Sequence, residues 1–335
     1  MHRRTFLVGL VQAPWAGCTV MGGVALVQAQ PAGKLPRVVV LMPGVPQGTP
    51  LESVQAFRQG LQALGYIHEQ NMLLEERWNE RGPEHWPVVV AEVLRSGLDV
   101  LVSGSGAATR TVAETASTVP LVSPTLNYPV ADGYAVSLSR PGGTVTGLTM
   151  FTPELTAKRL ELIKSTVAGL TSIALLSQPL AGAGQQVLRD REVAARALGL
   201  QVALTRVVGD GAEIERAFVE AARARVGAVV LGQAALFAAE RSRIGALALR
   251  HRLATIAGET GFARAGGLLE YAPDVPDNFR RAAVYVDRIL KGKKAGDLPI
   301  EQPTKVRLVI NLKTASALRL TIPPSLLLRA DEVIE

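Results

Sequence analysis

A single cysteine in 335 residues, Cys18, leaves this chain no disulfide framework and no thiolate pair for zinc. Histidine is nearly as scarce. His2, His68, His85 and His251 lie far apart, none at ligand spacing from another, so neither a metal centre nor any other cofactor is expected. Aromatic residues make up only 4% of the chain, and its lysines and arginines are scattered rather than striped. The formal charge of +7 therefore marks no nucleic-acid surface, which needs stacking rings interleaved with cations. Also missing are a Gly-Lys-Ser/Thr phosphate loop, a Gly-x-Ser-x-Gly elbow and a paired Ser and His, so no enzyme is expected.

What is present is apolar: 48% hydrophobic residues against 19% charged ones. That balance requires large buried sheets, and at this length one core usually splits into two domains.

The first thirty residues read as an address. Arg3-Arg4-Thr5-Phe6-Leu7 opens a modestly apolar run to Val27, interrupted by Gln12, Pro14 and glycines, with a small-residue cleavage site at Val27-Gln28-Ala29. This is the pattern of a twin-arginine export signal over 1–29 rather than a membrane anchor, and it places the mature protein in the periplasm. Removal would take Arg3 and Arg4 and lower the net charge from +7 to +5. Ala16-Gly17-Cys18 also resembles the end of a lipoprotein cleavage site, with Trp15 where leucine is usual, which keeps a lipid anchor at Cys18 as the lesser reading.

Beyond the address, apolar runs alternate with helical periodicity. Arg37 to Met42, Met72 to Trp78, Val100 to Val102 and Val119 to Ser123 read as strands. Leu51 to Leu64, Glu84 to Ser96 and Ala107 to Ser117 read as helices, and Ser123-Pro124-Thr125-Leu126-Asn127 as an exposed polar loop. Strands separated by helices imply a parallel sheet, because parallel neighbours need crossover connections. The pattern then begins again. Ile173, Gly199, Ala228 and Ile256 repeat Val38, Gly65, Asp99 and Val122 at offsets of 135, 134, 129 and 134 residues. Near-constant offsets over four elements predict a duplicated lobe.

The expected fold class is therefore α/β, with two doubly wound parallel-sheet lobes. Lobe one would comprise 35–147 plus 273–304 and lobe two 148–270 plus 311–335, joined by a three-stranded hinge with crossings near 145–149, 268–272 and 305–310. The helix from Asp274 to Leu290 should pack on lobe one. Open α/β sheets hold ligands at the carboxyl ends of their strands, so a guest between the lobes would meet two sets of loops. Lobe one offers Gly44 to Gln47, Ser103 to Ala108 and Ser123 to Asn127. Lobe two offers Ser177 to Leu180, Gly232 to Ala234 and Gly258 to Thr260.

Several longer stretches resemble one family. They are Phe57-Arg58-Gln59-Gly60-Leu61 with Leu64-Gly65-Tyr66; Arg140-Pro141-Gly142-Gly143-Thr144-Val145-Thr146-Gly147; Lys158-Arg159-Leu160-Glu161-Leu162; and the tail from Gln302-Pro303-Thr304-Lys305 to Arg329-Ala330-Asp331-Glu332-Val333-Ile334. Together they are similar to substrate-binding proteins of bacterial ABC importers, in the branch that looks like the tryptophan-binding lipoproteins. The resemblance covers almost the whole mature chain. It implies a type I periplasmic binding fold, a small-molecule solute clamped in the cleft, permease and ATPase subunits as partners, and a monomer. Relatives often carry an acid before Pro-Val at the end of the fourth loop, where this chain has Tyr128-Pro129-Val130, so an α-amino-acid ligand does not simply carry over. A ligand-sensing partner of a membrane receptor would share the same fold. A sugar- or purine-responsive repressor core is excluded, because no helix-turn-helix precedes Arg37.

In such a cleft, a carboxylate would meet the backbone N–H groups of Gly106, Ala107 and Ala108 and the hydroxyls of Ser103 and Ser105, at the start of a helix. Gly44, Thr125, Asn127 and Tyr128 complete the candidate wall of lobe one. Gln178, Gln233, Glu259, Thr260 and Tyr271 are the candidates from lobe two. Glu259 is the only acidic side chain in the six loops, so a cationic end of the solute is expected against lobe two.

Overall fold

The first strand, β1 (Arg37–Pro43), is apolar at the five consecutive positions Val38 to Met42 because it is buried on both faces. The computed structural model of the chain describes residues 34–45, 48–116, 118–179 and 184–335. The expected export signal and Cys18 lie outside the described residues, as do Pro46, Gln47 and Leu180 of the candidate loops. Residues 35–335 form one unit built on two sheets.

After β1 come α1 (Gly48–Ala63), β2 (Leu73–Asn79), α2 (Trp86–Arg95), β3 (Val100–Ser103), α3 (Gly106–Thr115), β4 (Leu121–Leu126) and β5 (Val145–Thr149). All five strands are parallel, in the order β2-β1-β3-β4-β5. Period-two alternation divides β1 between two cores. Val38, Val40 and Met42 enter one with Phe57 and Leu61 of α1, while Val39 and Leu41 enter the other with Trp86, Val90 and Val112.

The second lobe repeats the plan with α4 (Pro153–Thr166), β6 (Ser172–Ser177), α5 (Gly184–Ala197), β7 (Gln201–Val207), α6 (Gly211–Arg223), β8 (Ala228–Leu231), α7 (Ala235–Ala239), α8 (Arg241–His251), β9 (Ala254–Ala257) and β10 (Leu269–Pro273). The chain closes with α9 (Val275–Leu290), β11 (Val306–Asn311), α10 (Leu312–Ala317), α11 (Pro324–Leu327) and β12 (Glu332–Ile334). The sheet order is β12-β11-β10-β9-β8-β6-β7. Its run from β7 to β10 repeats the order of the first sheet, so the constant offsets correspond to equivalent strands. β7, an edge strand half open to solvent, is not among the strands expected from the sequence, although its equivalent at the edge of the first sheet, β2, is.

The three crossing segments belong to the sheets themselves. β5 is the edge of the first sheet, and β10 and β11 pair antiparallel in the second. Between β10 and β11 the chain returns to lobe one, where Phe279, Ala283 and Val286 of α9 join the same core as Phe57 of α1, as the periodicity predicts. Glu301 then bridges to Leu148 of β5 before the chain leaves again.

The expected loop at 123–127 is corrected. β4 continues to Leu126, with Ser123, Pro124 and Leu126 buried. Pro124 cannot donate to the ladder, and the β4–β5 register shifts between Ser123 and Leu126. That bulge re-aims the strand end, and it depends on the residue opposite. Gly147 has φ +135°, and a Cβ there would lie 2.0 Å from the Ser123 carbonyl oxygen. Likewise the helix expected from Glu84 begins with a short 3-10 turn, Pro83–His85, and turns α-helical only at Trp86.

Gly147→Ala should therefore lower the unfolding free energy by roughly 2–4 kcal/mol, strain and collision together. At Gly65 φ is also positive, +87°, but the space is open, and Gly65→Ala should cost only about 1 kcal/mol. Denaturant titrations of the two variants check this; equal losses would contradict the bulge argument.

Candidate functional site

In lobe one the turn between β3 and α3 is wired largely to itself. The Ser103 hydroxyl donates to the Ser105 carbonyl at 2.9 Å and accepts from Thr109 Oγ1 at 3.0 Å, while Ser123 Oγ donates to the Ser103 carbonyl at 3.0 Å. Ser105 caps α3 by accepting from the Ala108 N–H at 3.4 Å. Ser103 and Ala108 are fully buried. Of the candidates in this turn, Gly106 and Ala107 are the ones whose N–H groups have no partner among the described residues at the helix start.

Gly44 is exposed at the end of β1, with its N–H donated to the Asn79 carbonyl at 2.8 Å. Beyond the bulge, Thr125 Oγ1 is buried with no partner among the described residues, and Asn127 is half-buried. Tyr128 reaches across to lobe two. Its ring lies 4.6 Å from that of Phe151, tilted by 49°, and its hydroxyl accepts from Arg191 Nη2 at 3.2 Å.

The centre of lobe two's wall is a pair of arginines that the sequence reading did not place in the site. Arg159 comes from α4 and Arg191 from α5, and both reach the strand ends of β6, β8 and β9. They are 2% and 4% exposed, respectively. Glycine makes room for each of them. A Cβ on Gly232 would sit 2.3 Å from Arg191 Nη1, and one on Gly258 would sit 2.4 Å from the Arg159 guanidinium. Arg159 Nε donates to the Tyr271 carbonyl at 2.8 Å, and Arg191 Nη1 lies 3.4 Å from Ser177 Oγ.

Neither arginine forms an ion pair among the described residues. Arg159 Nη2 is buried without a hydrogen-bond partner, as are Thr156 Oγ1, Thr260 Oγ1 and Oε1 of the buried Gln233. Gln178 lies at the rim, its Oε1 accepting from the Leu236 N–H at 3.5 Å.

Glu259 is the nearest acid, and it is already engaged: its carboxylate accepts from the Ala234 N–H. It does not touch Arg264, which instead holds Glu332 through two bonds of 2.9 Å. Crowding sets the charges here. Burial, with Arg191 close by, pulls Arg159 down to about 10, and burial pushes Glu259 up to about 7 against the pull of Ala234 N–H and Arg159. The Tyr128 hydroxyl is also raised by burial, an effect that Arg191 partly opposes.

Two recesses border this wall. One lies beside the arginines and is lined by them together with Thr156, Leu175, Val230 and Gly232. A larger one lies on the crossing side between Glu52, Thr260, Glu270, Pro276 and Arg307. Its charges other than Glu52 are committed. Glu332 pairs with Arg264 and Arg307, Asp274 caps α9, and Glu270 accepts from the Ala263 N–H.

The structure thus gathers Tyr128, Glu259 and the Tyr271 carbonyl around Arg159 and Arg191, with Gln233 adjoining. It holds Ser103, Ser105 and Ala108 inside their own turn. A sequence signal for the arginines existed. Leu155, Arg159 and Leu162 fall on one helical face, as do Val187, Arg191 and Ala195, so each arginine interrupts an apolar stripe.

A family model described as ABC transporter substrate binding protein matches residues 43–334. No curated relative matches. Among solved structures, a conserved domain protein from Vibrio cholerae O1 biovar eltor is 22% identical with a TM-score of 0.80, covering 90% of this chain and 100% of its own. The ABC domain in complex with L-Trp from Streptococcus pneumonia gives the same identity, coverage and TM-score. A ligand-free, open substrate binding protein with adhesive properties from Clostridium difficile is 16% identical, with a TM-score of 0.69 over 89% of this chain and 99% of that one. At these identities the likeness establishes the fold.

The crowding of Glu259 has a measurable consequence. An unfolded glutamate releases its proton near 4.5, whereas folded Glu259, facing Arg159, Glu270 and Arg241, keeps it to about 7. The folded state therefore binds the extra proton across that window, and this contribution to stability falls as pH rises through it. Unfolding titrations between pH 4.5 and 7 should show Glu259→Gln gaining on wild type as pH rises. A constant difference would contradict the assignment.

Proposed function

The chain belongs to the ABC transporter substrate-binding protein family, and from that premise we propose that it captures a small organic solute between its lobes outside the cytoplasm and delivers it to the permease and ATPase subunits of an importer. The observation that carries this reading is the meeting of the two sets of strand-end loops. Tyr128 at the end of β4 touches Arg191 behind the end of β6, and Arg159 Nη2 and Thr156 Oγ1, which line the same recess as Arg191, are buried with no hydrogen-bond partner among the described residues. Buried polar atoms are normally satisfied, so two without partners beside an interlobe contact support the reading that a guest completes them.

Capture follows from the topology. The lobes are joined by three passes, after β5, after β10 and before β11, and rotation about such connections opens or closes the gap without disturbing either core. A solute bridging the strand ends gains its buried contacts only when the lobes close, so binding and closure are one equilibrium. Gly106 and Ala107 offer N–H donors from lobe one, and Gln178, Gln233 and Thr260 offer amides and a hydroxyl from lobe two. The Tyr128 and Phe151 rings provide apolar surface between them. The relative solved with L-Trp is one member of this fold whose guest joins a carboxylate to an aromatic body. Amino acids, aromatic acids and small carboxylates are the solutes to screen.

In a thermal-unfolding screen of these solutes, a true ligand at a hundredfold excess over Kd should stabilise the protein by about 2.7 kcal/mol. Calorimetry should return one site per chain, X-ray scattering a smaller radius of gyration with ligand, and chromatography an unaltered solute. A screen without any stabilising solute, or one whose hit is chemically consumed, would contradict the reading.

A further inference from the structure

Two guanidinium groups buried side by side need more compensation than this protein gives them. Only one carboxylate, Glu259, faces Arg159 closely enough to matter, and it is held by a backbone N–H. A tyrosine hydroxyl, a serine hydroxyl and a carbonyl make up the other contacts of the pair. All three are neutral. Positive charge is thus left over in a desolvated place, and Arg159 Nη2, on a side chain only 2% exposed, has no acceptor among the described residues. Isolated buried charges are paired or they are costly.

We propose that Arg159 and Arg191 are the seat of the solute's carboxylate, so that lobe two, not the α3 turn, is the wall that reads its charge. This rests on the solute-binding role proposed above and names the chemical class of the guest: an organic acid with an apolar or aromatic body. Guanidinium suits that task. Its planar fork of donors matches the two oxygens of a carboxylate, and charge-assisted bonds of this kind are stronger than those from neutral backbone donors. Thr156 Oγ1, beside the arginines and equally without a partner, supplies a further donor. The body of the acid then lies against the Tyr128 ring of lobe one and the Phe151 ring beside it, and Tyr128 closes over the head group through its bond to Arg191.

The orientation expected from Glu259 is thereby reversed. A cationic group placed against lobe two would meet two arginines before it met the one carboxylate. A zwitterion therefore turns its carboxylate inward and its amine toward lobe one or solvent.

The test uses the mature chain and four probes at matched ionic strength: sodium formate, sodium benzoate, benzamide and sodium chloride. Formate and benzoate should raise the unfolding temperature and benzamide and chloride should not, a comparison that requires no variant. Arg191→Gln should weaken benzoate about tenfold or more. Arg191→Lys should fall between, and Arg189→Gln, on the exposed side of the same helix, should match wild type. Formate and benzoate acting no better than chloride, or Arg191→Gln retaining full affinity, would overturn the seat. A neutral or cationic solute bound with full affinity by Arg191→Gln would also overturn it while leaving the solute-binding role intact. Formate binding in a protein that binds no organic solute would keep the seat and remove the role.

Discussion

Burying a charge in protein costs several kcal/mol even after relaxation, and here two like charges are buried against each other with a single carboxylate nearby. Much of lobe two is arranged around that burden. α4 and α5 lie side by side so that both arginines emerge at the same strand ends. Gly232 and Gly258 stand where any side chain would collide with them, and the Tyr271 carbonyl, at the start of a crossing, fixes one of the two forks. Glu259, pushed toward neutrality, offsets less than a full charge near neutral pH. On the proposed reading the arrangement is incomplete alone, and an anionic guest supplies what it lacks.

The fold sets this wall opposite another. Both sheets follow the same parallel order, and because the chain passes between them three times, the two lobes stay tethered near one edge. The Pro124 bulge and Gly147 turn the end of β4 so that Tyr128 leaves lobe one and meets Arg191. A local backbone irregularity thus fixes a contact between lobes. α9 does related work on the far side: it begins directly after β10 and packs on α1, which ties the crossing to the first core.

Most of the architecture was legible in the sequence because fully buried parallel strands are continuous apolar runs, and their repetition at near-constant spacing exposed the duplication. The end of β4 was not legible because Pro124 and its polar neighbours look like a loop. The candidate site was legible as loops, whereas the chemistry proposed for it was not. Ser103 and Ser105 carry the residue types of a binding turn, yet their hydroxyls are spent on the turn itself. Arg159 and Arg191 were passed over because arginine on an amphipathic helix is ordinarily a solvated residue. Only their register, in line with Leu155 and Leu162 or Val187 and Ala195, distinguishes them.

The most direct measurement is an experimental structure of the protein with the tightest-binding organic acid. The account predicts closed lobes and a carboxylate oxygen about 2.7–2.9 Å from Arg159 Nη2, with the second oxygen on Arg191. A carboxylate held instead at the Gly106 and Ala107 N–H groups, with Arg159 Nη2 still without an acceptor, would contradict it.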